Sequence, residues 1–154
     1  MDNQNSNELI VTRIFEAPIG LVWKTWIEAE HLKRWWGPTA CTVPVCESDA
    51  RPGGVILFHM RTPDGTIYIM SGTYSEVVKH ERLVFTSRSS DAAGKMFFDL
   101  LNTVLFEESR GKTKVTIRLE VLNNVPEAAP YLAAMSTGIN QGLDKLCNYL
   151  NGLK

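Results

Sequence analysis

VPEAAPYLAAMSTGINQGLDKLCNYLNGLK, residues 125–154, is the stretch that decides the fold. Its large apolar residues recur in steps of three and four, the spacing of one face of an α-helix. Proline suits the first turn of a helix and Asn-Gly suits its end. The pattern therefore predicts a helix over residues 130–151, roughly 33 Å long at 1.5 Å per residue. Its apolar face comprises Leu132, Met135, Ile139, Leu143, Leu146 and Leu150. A face of this length needs a broad apolar partner.

Two glycines, Gly138 and Gly142, lie one turn apart on nearly the same face of this helix. Each costs about 1 kcal/mol relative to alanine in a helix interior, so some gain should offset them. Either a strand backbone packs closely against the helix there, or space is left open between the helix and its partner.

Composition favours one globular domain. The chain has 154 residues, 44% of them hydrophobic, which suffices for a sizeable core. Residues 1–7 are polar and are predicted to be a disordered tail, and residues 8–154 are predicted to form a single domain. Sixteen basic residues against seventeen acidic ones leave no strong field, which argues against nucleic acid as a partner. No apolar run approaches the ~18 residues that cross a bilayer, so no stable membrane insertion is expected.

Cysteine and histidine usage gives no sign of a metal site. The three cysteines, Cys41, Cys46 and Cys147, have no metal-type spacing, and the histidines are scattered singly. Free thiols in a reducing cytoplasm are the plain interpretation, and the N-terminus does not have the pattern of a signal peptide. We expect a cytoplasmic protein with no cofactor and no metal.

The remainder of the chain is predicted to be mostly antiparallel sheet. Val115, Ile117, Leu119 and Val121 alternate with polar residues, as in a strand with one buried face. Strands are predicted at residues 8–16, 42–48, 55–61, 66–79, 82–89, 95–108 and 112–123, with short helices at 18–27 and 29–35 and a bulge near Gly72. Strands in succession with helices at the ends indicate an α+β domain with one twisted sheet.

Several segments together resemble one family. They are RIFEAPIGLVWKTWIEAEHLKRWWGP (residues 13–38), SDARPGG (48–54), FHMRTPDG (58–65), SGTYSEVVKHERLVFT (71–86) and the C-terminal helix. They are similar to the START-related SRPBCC superfamily, and within it to the branch named for the activator of the heat-shock-protein-90 ATPase. The resemblance implies a helix-grip fold, in which a curved antiparallel sheet of about six to seven strands surrounds a long C-terminal helix. It also implies an apolar cavity between sheet and helix.

The chain departs from this family at one position of the helix. A tryptophan commonly follows the helix glycine, whereas Ile139 follows Gly138 here. The smaller side chain could enlarge the cavity or simply alter the packing.

By analogy with the family pattern, a set of inward-facing residues is expected to line the cavity. It comprises Trp35, Trp36, Ile56, Phe58, Met60, Tyr74, Phe85, Asn102, Val104, Phe106, Ile117, Leu119, Met135, Gly138, Ile139, Gly142 and Leu143. Asn102, Ser87, Tyr68 and Tyr74 are the polar candidates. The alternative is that these residues are ordinary core with no room for a ligand.

Three other features have competing interpretations. Trp35 and Trp36 either guard the cavity entrance or serve as core for the small helices. The Arg51–Gly54 segment lacks the spacing of a phosphate-binding loop and is expected to be a structural turn. Glu76 could be a buried titratable group, but a salt bridge to Arg82 is the plainer expectation.

The leading functional hypothesis is a binding protein for a hydrophobic small molecule such as a lipid, a polyketide or an aromatic metabolite. One alternative is a regulatory module for a heat-shock chaperone ATPase, as the family name suggests. Another is a cofactor-free cyclase-type enzyme with an Asp or Glu and an Arg in the cavity. No nucleophile–base pair can be identified, so no catalytic residue is assigned, and a monomer or homodimer is expected.

Overall fold

The computed structural model describes residues 8–153. Seven antiparallel strands form one curved sheet in the order β1-β7-β6-β5-β4-β3-β2. The strands are β1 Glu8–Phe15, β2 Thr42–Ser48, β3 Val55–Arg61, β4 Ile67–Val78, β5 Arg82–Asp91, β6 Met96–Ser109 and β7 Lys112–Asn124. This is the α+β helix-grip fold predicted from the sequence.

The helices lie before β2 and at the C-terminal end of the described chain. They are α1 Ile19–Ile27, α2 Ala29–Trp35, α3 Ala129–Ala133 and α4 Met135–Leu153, with a 3-10 turn at Pro126–Ala128. Pro18 precedes α1 in an extended conformation, and its carbonyl accepts the first hydrogen bonds of the helix. The two short helices α1 and α2 bring three tryptophans, Trp23, Trp26 and Trp35, into the core.

The single long helix predicted for residues 130–151 is wrong at its beginning. The chain makes α3, breaks at Ala134, and restarts as α4. The ring of Tyr131 packs 5.0 Å from the ring of Phe97 and 5.9 Å from that of Tyr68. Tyr131 of α3 thus contacts strands β4 and β6 of the sheet. The apolar spacing of the sequence continues through Ala134 and does not predict the break.

The bulge of β4 also lies at a different place from the prediction. Gly72 pairs regularly with Ile56 of β3, and the register shift against β5 falls between Tyr74 and Glu76. Gly72 is needed for another reason, since a Cβ there would lie 1.6 Å from the carbonyl oxygen of Thr86.

Two smaller expectations are confirmed. The Arg51–Gly54 segment is a turn, in which Gly53 has a φ of +86° and its N–H donates to the carbonyl of Tyr74. Arg82 Nε donates to Glu76 Oε1 at 3.0 Å, which is the predicted salt bridge on the surface.

Helix α4 packs unevenly over the concave face of the sheet. Its C-terminal half is tightly packed through Leu146 and Leu150, which are at most 2% exposed. Its N-terminal half is less enclosed, since Met135 and Ile139 are only partly buried. Space therefore remains beneath the beginning of α4.

Candidate functional site: an apolar cavity under the C-terminal helix

A cavity of about 430 Å³ lies between α4 and the sheet. Strands β5, β6 and β7 supply its floor, α4 supplies its ceiling, and the segment after α2 supplies one wall. The floor includes Phe85, Leu100, Asn102, Val104, Ile117 and Leu119, and the ceiling Met135, Gly138, Ile139, Gly142 and Leu143. Near Tyr131 and Ala134, which are exposed lining residues, the cavity opens to solvent.

Most residues expected from the sequence surround this cavity. Those that line it are Trp35, Trp36, Met60, Phe85, Asn102, Val104, Ile117, Leu119, Met135, Gly138, Ile139, Gly142 and Leu143. Their part in binding a ligand remains a proposal.

The other expected residues, Ile56, Phe58, Tyr74 and Phe106, lie outside the lining, in the packed core. Phe106 is covered by the rings of Trp23 and Trp26, at centroid distances of 5.1 and 6.0 Å. Tyr74 is held by a 2.8 Å hydrogen bond between its hydroxyl and Ser48 Oγ. Phe58 lies beneath Trp36, and Ile56 is 1% exposed.

The lining also includes Tyr68, one of the polar candidates, and residues that the sequence analysis did not place in the cavity. These are Trp26, Gly37, Pro38, Cys41, Thr62, Ile69, Met70, Ser89, Phe97, Phe98, Leu100, Tyr131 and Ala134. The alternation of β6 that places Asn102 and Val104 inward also places Leu100 inward, so this residue could have been found. The contribution of Tyr131 follows from the break in the helix and had no signal in the sequence.

The sequence left open whether Gly138 and Gly142 allow a close neighbour or leave open space beside the helix. A Cβ on Gly142 would lie 3.3 Å from the carbonyl oxygen of Gly37 and 3.4 Å from that of Trp35. A Cβ on Gly138 would lie 3.3 Å from Cγ of Pro38. The glycines therefore admit a close neighbour, but this neighbour is the segment after α2 and not a strand.

Residues 36–39 form this segment, called here the WGP loop, and α4 holds it by its backbone. Lys145 Nζ donates to the carbonyls of Trp36 and Pro38 at 3.3 and 3.1 Å. The amide of Thr39 donates to Gln141 Oε1 at 3.1 Å. Burial lowers the pKa of Lys145, which shows that its ammonium group is partly removed from water. These bonds fix the loop at the side of the cavity.

The tandem tryptophans have different roles in the packing. Trp35 is 3% exposed, and its Nε1 donates to the carbonyl of Thr25 at 2.9 Å, so it joins α2 to α1. Trp36 is only partly buried and stacks on Phe58 with 4.3 Å between ring centroids. Both residues line the cavity, with Trp35 as part of the core and Trp36 in the WGP loop.

Several polar side chains contribute to the lining. Asn102 is in the floor, where its Nδ2 donates to the carbonyl of Phe85 and to Ser87 Oγ. Tyr68, Tyr131, Thr62 and Cys41 belong to the more exposed part of the lining. Hydrogen bonding to Tyr131 and burial raise the pKa of Tyr68, so the phenol of Tyr68 remains neutral at ordinary pH.

Charged groups are missing from this lining within residues 8–153. None of its side chains belongs to Asp, Glu, His, Lys or Arg. The carboxylate and arginine pair considered for cyclase-type chemistry is therefore not in the described cavity wall. The same part of the chain contains no group of three or more His, Cys, Asp or Glu residues that could hold a metal ion. None of the helices over residues 8–153 combines the length and the apolar character needed to cross a membrane.

Comparison with known families identifies the relatives of this chain. The sequence model of the family described as Activator of Hsp90 ATPase homolog 1-like protein matches residues 16–151. A comparison with curated proteins gave no match.

Solved structures share the fold at low sequence identity. A protein from Staphylococcus epidermidis is 27% identical, with 96% of this chain and 92% of that chain covered and a TM-score of 0.77. A protein from Nitrosomonas europaea is 22% identical, with coverages of 99% and 97% and a TM-score of 0.80. The AHSA1 protein from Silicibacter pomeroyi is 19% identical, with coverages of 96% and 99% and a TM-score of 0.80.

Proposed function

The chain belongs to the Activator of Hsp90 ATPase homolog 1-like family, and from the geometry of its cavity we propose that it binds a neutral, largely apolar small molecule between the sheet and α4. The observation that carries the proposal is a cavity of about 430 Å³ with an almost wholly apolar wall. Ligand pockets in proteins span roughly 300–1,000 Å³ and are mostly apolar with a few placed polar groups.

The apolar wall of the cavity favours an occupant. Because the cavity opens to solvent near Tyr131 and Ala134, this wall contacts water when no ligand is bound. A ligand that removes the wall from water contributes binding free energy of about 25 cal/mol per Å² of apolar surface buried.

The lining also limits the chemistry of the ligand. An ionised group inside this cavity would find no counter-charge among the described lining residues, and a buried unpaired charge is strongly unfavourable. The aromatic side chains of Trp36, Phe85 and Phe98 offer flat surfaces on which an aromatic or polyketide-like ligand can pack. A neutral lipid with a flexible chain fits the same wall.

A reducing cytoplasm is part of the proposal. Cys41, Cys46 and Cys147 are free thiols in the structure, and disulfides are rare in that compartment. Burial raises the pKa of Cys46 to about 11, so this thiol stays protonated and unreactive at neutral pH. Cell fractionation with a tagged full chain tests the location, and recovery from an exported fraction would contradict it.

The test of binding uses a neutral fluorescent probe, N-phenyl-1-naphthylamine, with a variant that fills the cavity. Ile139→Trp places at this position the residue type that commonly follows the helix glycine in the family. The larger side chain reduces the volume that is left for a ligand. It should therefore weaken probe binding about tenfold.

Ile139→Leu is the matched control, because it changes the shape of the side chain but not its volume. It should bind the probe nearly as the unmodified protein does. Native mass spectrometry of the freshly purified protein would reveal any molecule that copurifies. The proposal fails if the probe does not bind, or if it binds Ile139→Trp as tightly as the Ile139→Leu control.

A further inference from the structure

The floor of the cavity contains a side-chain amide whose nitrogen is hydrogen-bonded and whose oxygen is not. Asn102 lies in the middle of β6, is 5% exposed and lines the cavity. Its Nδ2 donates to the carbonyl oxygen of Phe85 at 3.1 Å and to Ser87 Oγ at 3.0 Å. A backbone carbonyl can only accept, so the first bond fixes the orientation of the amide. The nitrogen faces β5, and the oxygen is directed elsewhere.

The acceptor Oδ1 of Asn102 has no donor among residues 8–153, since both hydrogen bonds of the side chain are made by Nδ2. It is not sealed in the core either. Within the described chain, the fully enclosed side-chain nitrogen or oxygen that lacks a partner is Trp26 Nε1. Oδ1 therefore borders open space, and the open space that Asn102 lines is the cavity.

The surroundings of this oxygen offer no substitute partner from the floor. Leu100 and Val104 flank Asn102 on the inner face of β6, and Leu119 pairs with it from β7. An apolar ligand packed against Oδ1 would displace its water without replacing the hydrogen bond. Leaving a buried acceptor without a donor costs binding free energy. A ligand that donates a hydrogen bond avoids this cost.

We infer that the ligand of this cavity carries a hydroxyl or N–H group on its buried end, and that this group donates to Asn102 Oδ1. The inference rests on the proposed function and names the chemical class that the site selects. Neutral alcohols, phenols and arylamines with an N–H group meet the requirement. Hydrocarbons do not, and ethers and ketones present an acceptor to an acceptor. A carboxylate at this end would meet the same lone pairs with a negative charge.

Two probes of nearly equal shape test the inference. 2-Naphthol and 2-methylnaphthalene differ by a hydroxyl in place of a methyl group, and both can displace N-phenyl-1-naphthylamine. Transfer from water penalises the hydroxyl equally for every variant, so the informative quantity is the ratio of the two affinities. In Asn102→Leu this ratio should shift against 2-naphthol by about fivefold or more.

Leu119→Val is the matched control, because it alters the wall beside Asn102 without touching a polar group. It should leave the ratio unchanged. Amide NMR of the unmodified protein gives an independent measurement, since 2-naphthol should shift the side-chain amide resonances of Asn102 more than 2-methylnaphthalene does. This measurement also decides the matter if Asn102→Leu does not fold.

The outcomes separate the inference from the proposed function. Binding of both probes with the same ratio in Asn102→Leu, or with equal shifts of the Asn102 amide, overturns the inference and leaves the cavity a general apolar site. If N-phenyl-1-naphthylamine does not bind, the proposed function fails and the inference with it; if it binds but neither naphthalene displaces it, the inference alone is overturned.

Discussion

Replacing Gly142 with alanine should destabilise the protein, whereas the same change at Gly138, one turn earlier, should not. Both variants gain about 1 kcal/mol of helix propensity. At Gly142 the new methyl group meets backbone atoms of the segment after α2, at 3.3 Å from the oxygen of Gly37 and 3.4 Å from that of Trp35. The bonds from Lys145 hold this segment in place. Overpacking against a held backbone costs about 1–3 kcal/mol.

At Gly138 the new methyl group meets only Cγ of Pro38, at 3.3 Å. A proline ring can change its pucker, so most of the propensity gain should remain. Because the propensity gain is the same in both variants, the expected difference between them is about 1–3 kcal/mol in the free energy of unfolding. For a domain of this size it corresponds to roughly 3–9 °C in Tm.

Urea unfolding followed by circular dichroism measures the difference. Gly152→Ala supplies a reference without contacts, since a Cβ there would meet nothing within 4 Å. Its gain should be small because the position is near the end of α4. If Gly142→Ala proved as stable as Gly138→Ala, the loop would not be held against the helix, and the account of this wall of the cavity would be wrong.

Two further predictions concern the same architecture. Lys145→Met keeps the apolar stem of the side chain but loses both hydrogen bonds to the WGP loop, so it should lower the free energy of unfolding by about 1–2 kcal/mol. Urea unfolding measures this loss, and the exposed-site control Lys24→Met should show little change. An equal loss in both variants would contradict the reasoning. Burial raises the pKa of Tyr74 to about 12, above its unfolded value of about 10, so the stabilisation from its neutral form is complete below pH 10 and is lost as pH rises to 12. The loss reaches about 2–3 kcal/mol, and Tyr74→Phe should show a shallower decline across this range; a decline of the same slope would place its cause elsewhere.

The sequence alone was sufficient for the seven strands and, through alternation, for the buried face of β7. Inward residues alternate with outward ones along β6 and β7, and the structure keeps that alternation. The bounds of β2 and β3 agree with the prediction to the residue. These features depend on local patterns of period two, which the sequence contains directly.

The limits of the cavity could not be predicted in the same way. Phe106 and Val104 have the same inward orientation on β6, yet only Val104 lines the cavity. The difference is set by Trp23 and Trp26 of α1, which cover Phe106. Alternation specifies the face of a residue, but the element that covers this face is decided by tertiary packing. Ile56 and Tyr74 are likewise buried but lie outside the lining of the cavity.

The cavity exists because the WGP loop lies between α4 and strand β3 of the sheet. The WGP loop packs on α4 through Gly138 and Gly142, while its other side meets the sheet. Trp36 stacks on Phe58, and a Cβ on Gly37, which has a φ of +85°, would lie 2.9 Å from Sδ of Met60. A layer of chain thus separates the N-terminal part of the helix from β3, whereas Leu146 and Leu150, beyond this part, are buried in the core. The loop therefore holds this part of α4 away from the sheet. Gly138 and Gly142 lower the helix propensity of α4, but they allow the loop to pack closely against it.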